Sequence, residues 1–318
     1  MAINAPFFLD AASLDLATSV YLDSGLVNIS PDGFYGDGTI TRQQSSGLLL
    51  LQSDCEACGA PCGTSIGGSG GSGVYMVNLN VGSTATGAII ITFNPAGVPD
   101  GIRGTYDGIV YNKLSSPVYG GLQSSNYGHY TIIGSTGSVG GCGDWYPSGA
   151  TLTQPEFLYD PLTSTFTATG GTATTVISTT DFFIESGTMG NCIMVIPKPN
   201  TTPSTLLIEI IGPCSSTAWT FAASCPAALP SFASSARLVT YPGPILCSMP
   251  MDQTYYYAKV NTASPTEPIG KDYVFTDANG EFPLPDGYYV TYYDGVTSVG
   301  LINVSNGIIL NRIFTSCT

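Results

Sequence analysis

Val98-Pro99-Asp100-Gly101-Ile102-Arg103-Gly104-Thr105-Tyr106-Asp107-Gly108-Ile109-Val110-Tyr111 has the pattern of a tight β-hairpin. Two turn signals, Pro99-Asp100-Gly101 and Asp107-Gly108, bracket a short run in which Ile102 and Tyr106 suit a strand. Proline presets φ, aspartate bonds its own backbone and glycine takes positive φ. The first signal therefore starts a hairpin arm and the second reverses it. The same device recurs at Pro31-Asp32-Gly33-Phe34-Tyr35-Gly36-Asp37-Gly38, and again at Pro285-Asp286-Gly287 with Asp294-Gly295 after it.

The outer two copies agree further. Val20-Tyr21, Asp23 and Pro31-Asp32-Gly33-Phe34-Tyr35 lie over Val274-Phe275, Asp277 and Pro285-Asp286-Gly287-Tyr288-Tyr289 without a gap, at a constant offset of 254 positions. This register predicts one small β-meander used near each end of the chain, with a larger β module between them.

Composition sets the class. Of 318 residues, 43% are hydrophobic and only 9% are charged, against roughly a quarter charged in ordinary soluble proteins. So much apolar and aromatic surface can offset chain entropy, so the chain is read as folded rather than disordered. Eight Lys and Arg against 22 Asp and Glu give a net charge of −14, which repels phosphate backbones and anionic lipid. Nucleic acid and membrane are therefore excluded as partners. The opening Met1-Ala2-Ile3-Asn4-Ala5-Pro6 lacks the basic and apolar regions of a leader, and no apolar run approaches the roughly 20 residues of a spanning helix.

Nine cysteines, an odd number in a chain read as leaderless, argue against a complete secreted-type disulfide framework and predict mostly buried thiols, with late oxidation allowed. Cys55, Cys58 and Cys62 have spacings that suit zinc, but no fourth ligand stands beside them, so they read as a turn-rich loop.

Along the chain, residues 1–66 read as the first β-meander and a candidate docking region. Gly67-Gly68-Ser69-Gly70-Gly71-Ser72-Gly73 reads as a flexible linker. Its literal G-x-S-x-G match is set aside, since a nucleophile elbow needs a strand before it and a helix after it. Residues 74–226 read as a β-sandwich of jelly-roll type. Val77, Leu79 and Val81 alternate with polar neighbours, Ala88 to Phe93 is a buried strand, and Trp219, Phe221, Ala223 and Cys225 share one strand face. Residues 227–318 read as a C-terminal β domain holding the second meander. The fold class is thus all-β, a central sandwich flanked by small meanders.

Between the hairpin and Phe157 lies a region rich in Tyr, Ser, Gly and Asn. Tyr119, Asn126, Tyr127, His129, Trp145 and Tyr146 are its candidate binding residues, because planar aromatic faces and amides on a rigid frame suit recognition, including of sugar rings. The competing reading packs these rings into the sandwich end or a subunit interface. A single histidine gives no multi-histidine metal site. The carboxylates Asp144, Glu156, Asp160, Asp181 and Glu185 show no pairing of the kind glycoside hydrolysis needs. Asp277, Asn279 and Gly280 resemble the start of an EF-hand loop but Tyr288 stands where its bidentate Glu belongs, so they read as a turn. No catalytic residue, metal or cofactor is assigned.

Val20-Tyr21, Pro31 to Gly38, Arg42-Gln43, Cys55 and Cys58, the Pro99 to Gly108 hairpin, and Gly212-Pro213 through Ala218-Trp219-Thr220-Phe221 to Cys225-Pro226 resemble virion proteins of tailed phages of Bacteroidetes hosts, the crAss-like group included. The resemblance implies a non-enzymatic structural subunit of the virion, of head-fibre, tail-associated or adhesin type, and carries over no functional residue. By analogy with phage fibres, the chain is expected to form a homo-oligomer, a trimer, alongside other virion proteins, with host surface glycan as a further contact. A virion depolymerase and a secreted bacterial adhesin are the alternatives.

Overall fold

The computed structural model describes residues 6–37, 40–54, 59–94, 100–114, 151–176, 192–212, 217–241, 249–259, 267–270, 272–293 and 298–316. Every regular element among them is a β-strand.

The N-terminal unit holds β1 (Phe8–Leu9), β2 (Val20–Tyr21), β3 (Gly33–Gly36), β4 (Ile40–Ser45) and β5 (Leu48–Asp54). β1 pairs with β2, and β3, β4 and β5 form an antiparallel meander. Ser46 (φ 53) and Gly47 (φ 78) close the second hairpin as a two-residue turn whose left-handed backbone matches strand twist. Leu14, Ala17, Val20 and Leu49 are its small core. Polar side chains complete it. Buried Gln44 accepts from Val20 N at 2.6 Å and donates to Ser30 O at 2.7 Å, while Arg42 donates to Ala17 O at 2.5 Å, Leu14 O at 2.9 Å and Leu50 O at 2.7 Å. These bonds satisfy backbone that the unit is too small to pair otherwise.

The central module runs through β6 (Ala60–Pro61), β7 (Ser65–Gly70), β8 (Gly73–Asn80), β9 (Gly87–Asn94), β10 (Gly101–Tyr106), β11 (Ile109–Leu114), β12 (Thr151–Asp160), β13 (Thr165–Val176), β14 (Cys192–Lys198), β15 (Thr205–Gly212) and β16 (Thr217–Ala223). One sheet has the order β11-β10-β15-β8-β12-β13, with β6 parallel to β8; the other has β14-β9-β16-β7. The antiparallel pairs β7 with β16, β8 with β15, β9 with β14 and β10 with β11 are nested. The organising hairpin forms as expected: Asp107 (φ 49) and Gly108 (φ 74) turn β10 into β11. Alternation is kept, since Val77, Leu79, Ile89, Ile91, Phe93, Ile208 and Phe221 point into a common core and Ala218 and Thr220 face out.

Residues 67–73 are not a linker: Gly67 to Gly70 lie in β7, paired with β16, and Gly73 opens β8. The glycines serve aromatic packing. A Cβ on Gly68 would lie 2.6 Å from Trp219 Cζ2, one on Gly70 2.7 Å from the Tyr75 hydroxyl, and one on Gly73 2.7 Å from Phe157 Cε2. The sandwich consequently begins at β6, within the range assigned to the first meander. Cys62 and Cys225 form a disulfide with Cα atoms 4.9 Å apart, an oxidation that the reading of mostly buried thiols allowed. Gly63 N donates to Ala223 O at 2.7 Å and Cys62 N to Asn80 O at 3.0 Å, which fixes the two sulfurs side by side and removes Cys62 from any zinc reading. Cys225 lies just past the end of β16, and Cys55 and Cys58 lie outside the described residues.

The C-terminal domain holds β17 (Ser231–Ser234), β18 (Gln253–Ala258), β19 (Tyr273–Phe275), β20 (Gly287–Tyr293), β21 (Ser298–Ser305) and β22 (Ile308–Ser316) in one sheet of order β17-β18-β19-β22-β21-β20. It repeats the N-terminal unit bond for bond. The bridge Tyr21 to Ile29 recurs as Phe275 to Pro283. Ser30 N to Val20 O and Leu22 N to Asn28 O recur as Leu284 N to Val274 O and Thr276 N to Phe282 O. Asp23 accepts from Gly25 N and Asn28 N, and Asp277 from Asn279 N and Phe282 N, so the EF-hand-like start is a turn. Tyr35 and Tyr289 donate to Pro31 O and Pro285 O. The pairs Phe34 with Gln43 and Gln44 with Leu49 become Tyr288 with Asn303 and Val304 with Ile309, with a register shift just before Gln44 in one meander and just before Val304 in the other. Even β1 has its counterpart, as Phe8 faces Tyr21 where Tyr256 faces Phe275.

The copies differ in what surrounds them. Apolar side chains replace the polar core, with Val304 for Gln44, Ile302 for Arg42 and Leu284 for Ser30. Tyr273, Phe275 and Ala258 belong to the same hydrophobic cluster as the sandwich, and Leu229 N donates to Ala278 O at 2.8 Å. The N-terminal cluster contains only its own residues.

Candidate functional site

Strand direction places the flanks of four connections at one end of the sandwich. Gly101 pairs with both Leu114 and Ile211, Gly212 with Gly73, Thr217 with Gly70, Cys192 with Phe93 and Thr151 with Val176. β12 runs parallel to β8, so Thr151 lies at that same end. Segments 95–99, 115–150, 177–191 and 213–216 all start and finish there. The six candidate binding residues, Tyr119, Asn126, Tyr127, His129, Trp145 and Tyr146, lie outside the described residues. Their anchors, Leu114 and Thr151, are both at this end.

A buried polar network underlies it. Asp100 is fully buried, and the Thr217 hydroxyl lies 2.7 Å from both of its carboxyl oxygens. Burial pushes the Asp100 carboxyl well above the usual carboxylate range, and the Thr217 hydrogen bond opposes that only in part. Burial also raises the Tyr75 phenol, with the Asp100 charge adding to it. Gln154 Nε2 donates to Gly212 O at 2.7 Å and the Tyr75 hydroxyl to Gly71 O at 2.8 Å. The Asp100–Thr217 bond joins the start of β10 to β16 and the Gln154–Gly212 bond joins β12 to β15, both at the end of the sandwich where Gly101, Thr151 and Gly212 lie.

Two concavities flank the sandwich. A groove of about 640 Å³ runs between β7 and the β12–β13 hairpin, floored by Trp219 and Phe166 and edged by Ser69, Asn94, Ser164 and Thr220. Trp219, Phe166 and Tyr75 pack edge to face, with Trp219 5.4 Å from Phe166 and 5.6 Å from Tyr75 between centroids. A cleft of about 480 Å³ separates the β10–β11 hairpin from the C-terminal domain, lined by Tyr106, Val110, Tyr111, Phe275, Glu281 and Pro283. Sequence reading placed Trp219 on its strand but missed Phe166 beside it, since β12 and β13 carry no turn signal that fixes which sheet they join.

The carboxylates considered for hydrolysis divide as follows. Asp144, Asp181 and Glu185 lie outside the described residues. Asp160 caps its own turn, accepting from Leu162 N and the Thr163 hydroxyl, each at 2.9 Å, and the Leu162 bond leads in lowering its pKa. Glu156 accepts from the Thr169 hydroxyl at 3.3 Å. Among the described residues no group of three or more His, Cys, Asp or Glu could hold a metal ion. No described helix is long and apolar enough to cross a membrane.

No family model, no curated protein and no solved structure matches this chain.

Proposed function

We propose that this chain is a structural, non-catalytic subunit of a phage virion, of the fibre or head- or tail-associated kind. In this reading its jelly-roll-type sandwich presents the connections at 115–150 to a host surface glycan, while the terminal units attach to the particle and to other copies in a homotrimer. One observation carries it: two copies of one small β unit flank a sandwich, and only the C-terminal copy shares the sandwich core. A duplicated module with one copy set into the body and the other outside it suits a part that joins bodies together. The buried network beneath the loop end supports recognition there rather than chemistry, because it braces strands and places no acid beside a base.

The test is peptide mass spectrometry of density-purified particles together with glycan binding by the purified chain. The reading expects the chain at the stoichiometry of a structural component, and retention by host polysaccharide without release of sugars. Absence from particles removes the virion role. Sugar release replaces the binder with the depolymerase alternative.

A further inference from the structure

The duplication assigns a use to a surface of the N-terminal unit. In the C-terminal copy, the loop after β19 and its neighbours sit on the sandwich. Gly280 is buried, with its Cβ position 2.8 Å from Val195 Cγ1 and 3.4 Å from Leu229 Cδ1. Tyr256 and Ile308 pack against the sandwich core, and Glu281 and Pro283 edge the cleft beside it. The matching positions of the N-terminal unit are Leu26, Phe8, Leu48, Val27 and Ile29. All five are apolar and open to solvent: Val27 is 77% exposed, Leu48 61%, Ile29 51%, Leu26 39% and Phe8 36%. Where the seated copy has a glycine, a charge and a proline, the free copy has three aliphatic side chains.

Two further features belong to this face. Leu26 holds φ 55, a left-handed conformation that costs a bulky residue energy and that the other copy fills with glycine. The nearby carboxylates are already used, Asp23 on the amides of Gly25, Val27 and Asn28 and Asp32 on those of Ser46 and Gly47. What remains toward solvent is an apolar surface with a projecting leucine.

We propose that this face docks on the end of a β-sandwich in another protein of the particle, an apolar and uncharged surface with a recess for Leu26. The inference rests on the virion reading above. The partner class follows from the seated copy, whose equivalent face covers a sandwich end. The partner is not this chain's own sandwich, because the seat at Val195 and Leu229 admits only a glycine at the position of Leu26, and the C-terminal copy already fills it.

The test uses the full chain, supplied in trans to a phage lacking its gene, as wild type, as Val27→Asp and as Phe282→Asp. Phe282 is 58% exposed on the seated copy and serves as the control. Val27→Asp is expected to lower incorporation into particles at least tenfold, and Phe282→Asp to leave it unchanged. Light scattering on the three purified chains should give one common mass. Normal incorporation of Val27→Asp overturns the proposal, as does a fall in oligomer mass caused by that substitution, which would make the occupant a second copy of this chain. If wild type itself is absent from particles, the virion reading fails and takes the partner with it. Wild type present with Val27→Asp also present removes the docking face alone.

Discussion

Gly280→Leu, which installs in the seated copy the residue that the free copy carries, measures how closely the C-terminal domain is fitted to the sandwich. Its Cβ would come within 2.8 Å of Val195 Cγ1, with Leu229 Cδ1 at 3.4 Å and Ala88 Cβ at 3.6 Å closing the other sides. Overpacking of a filled site costs roughly 1–3 kcal/mol, and a non-glycine residue at φ 75 adds about 1–2 kcal/mol. The expected loss is therefore about 2–5 kcal/mol, a large share of a domain's stability. Urea unfolding followed by tryptophan fluorescence reads it, since Trp219 reports the core that Phe275 and Tyr273 share. Gly280→Ala keeps the backbone strain and the first clash while adding no further branch, so it should fall between the two. A Gly280→Leu chain within about 0.5 kcal/mol of wild type would refute the argument and show the seat to be yielding. The reciprocal Leu26→Gly, with no wall in front of it, is expected to change stability by less than about 1 kcal/mol, relief of strain being offset by added chain entropy when unfolded.

Other expectations follow from the same geometry. Cys62→Ser, which opens a loop closed across 163 residues, should lower stability by about 2–5 kcal/mol, and reductant should affect wild type in the same direction and leave the variant unmoved. Asp100 has its folded pKa raised, so its contribution is fully present below the unfolded carboxyl value near about pH 4 and is lost as pH rises through the folded value. Asp100→Asn keeps an acceptor for Thr217 and is expected to raise the neutral-pH urea midpoint and flatten that decline; a lower midpoint would show the charge to be compensated. Trp145→Ala should weaken binding to host polysaccharide while leaving the thermal midpoint within about a degree of wild type, and an equal loss of folding would make Trp145 a packing residue.

The strands were legible because each sheet of a sandwich buries one face and leaves the other outward, which imposes a two-residue period. Val77 and Leu79, Ile89 and Ile91, and Trp219 and Phe221 show it directly. The repeat was legible because its turns need particular residues at particular places: Asp23 and Asp277 to gather amides, Asp32 and Asp286 to hold the next hairpin. The glycine run was misread for a physical reason. Chain that must bend freely and chain that must lie flat on aromatic rings both exclude a Cβ, and only the positions of Trp219, Tyr75 and Phe157 distinguish them. The disulfide was hidden by distance, since Cys55 and Cys58 stand beside Cys62 in sequence while its partner lies 163 residues away, just past the last strand of the sandwich. The difference between the two copies was in view all along as Leu26 against Gly280, but its meaning depends on Val195, which no local pattern links to either.

The bond between Cys62 and Cys225 also decides where mechanical load travels. Residues 63–224, which hold β7 to β16, form a covalently closed ring on one sulfur bridge, with β6 just outside it. Tension between the N-terminal unit and the C-terminal domain runs through Cys62, across the bridge and out at Cys225. The strands β7 to β16 are a side loop on that line, so pulling at the ends cannot extend the chain between them while the bridge holds.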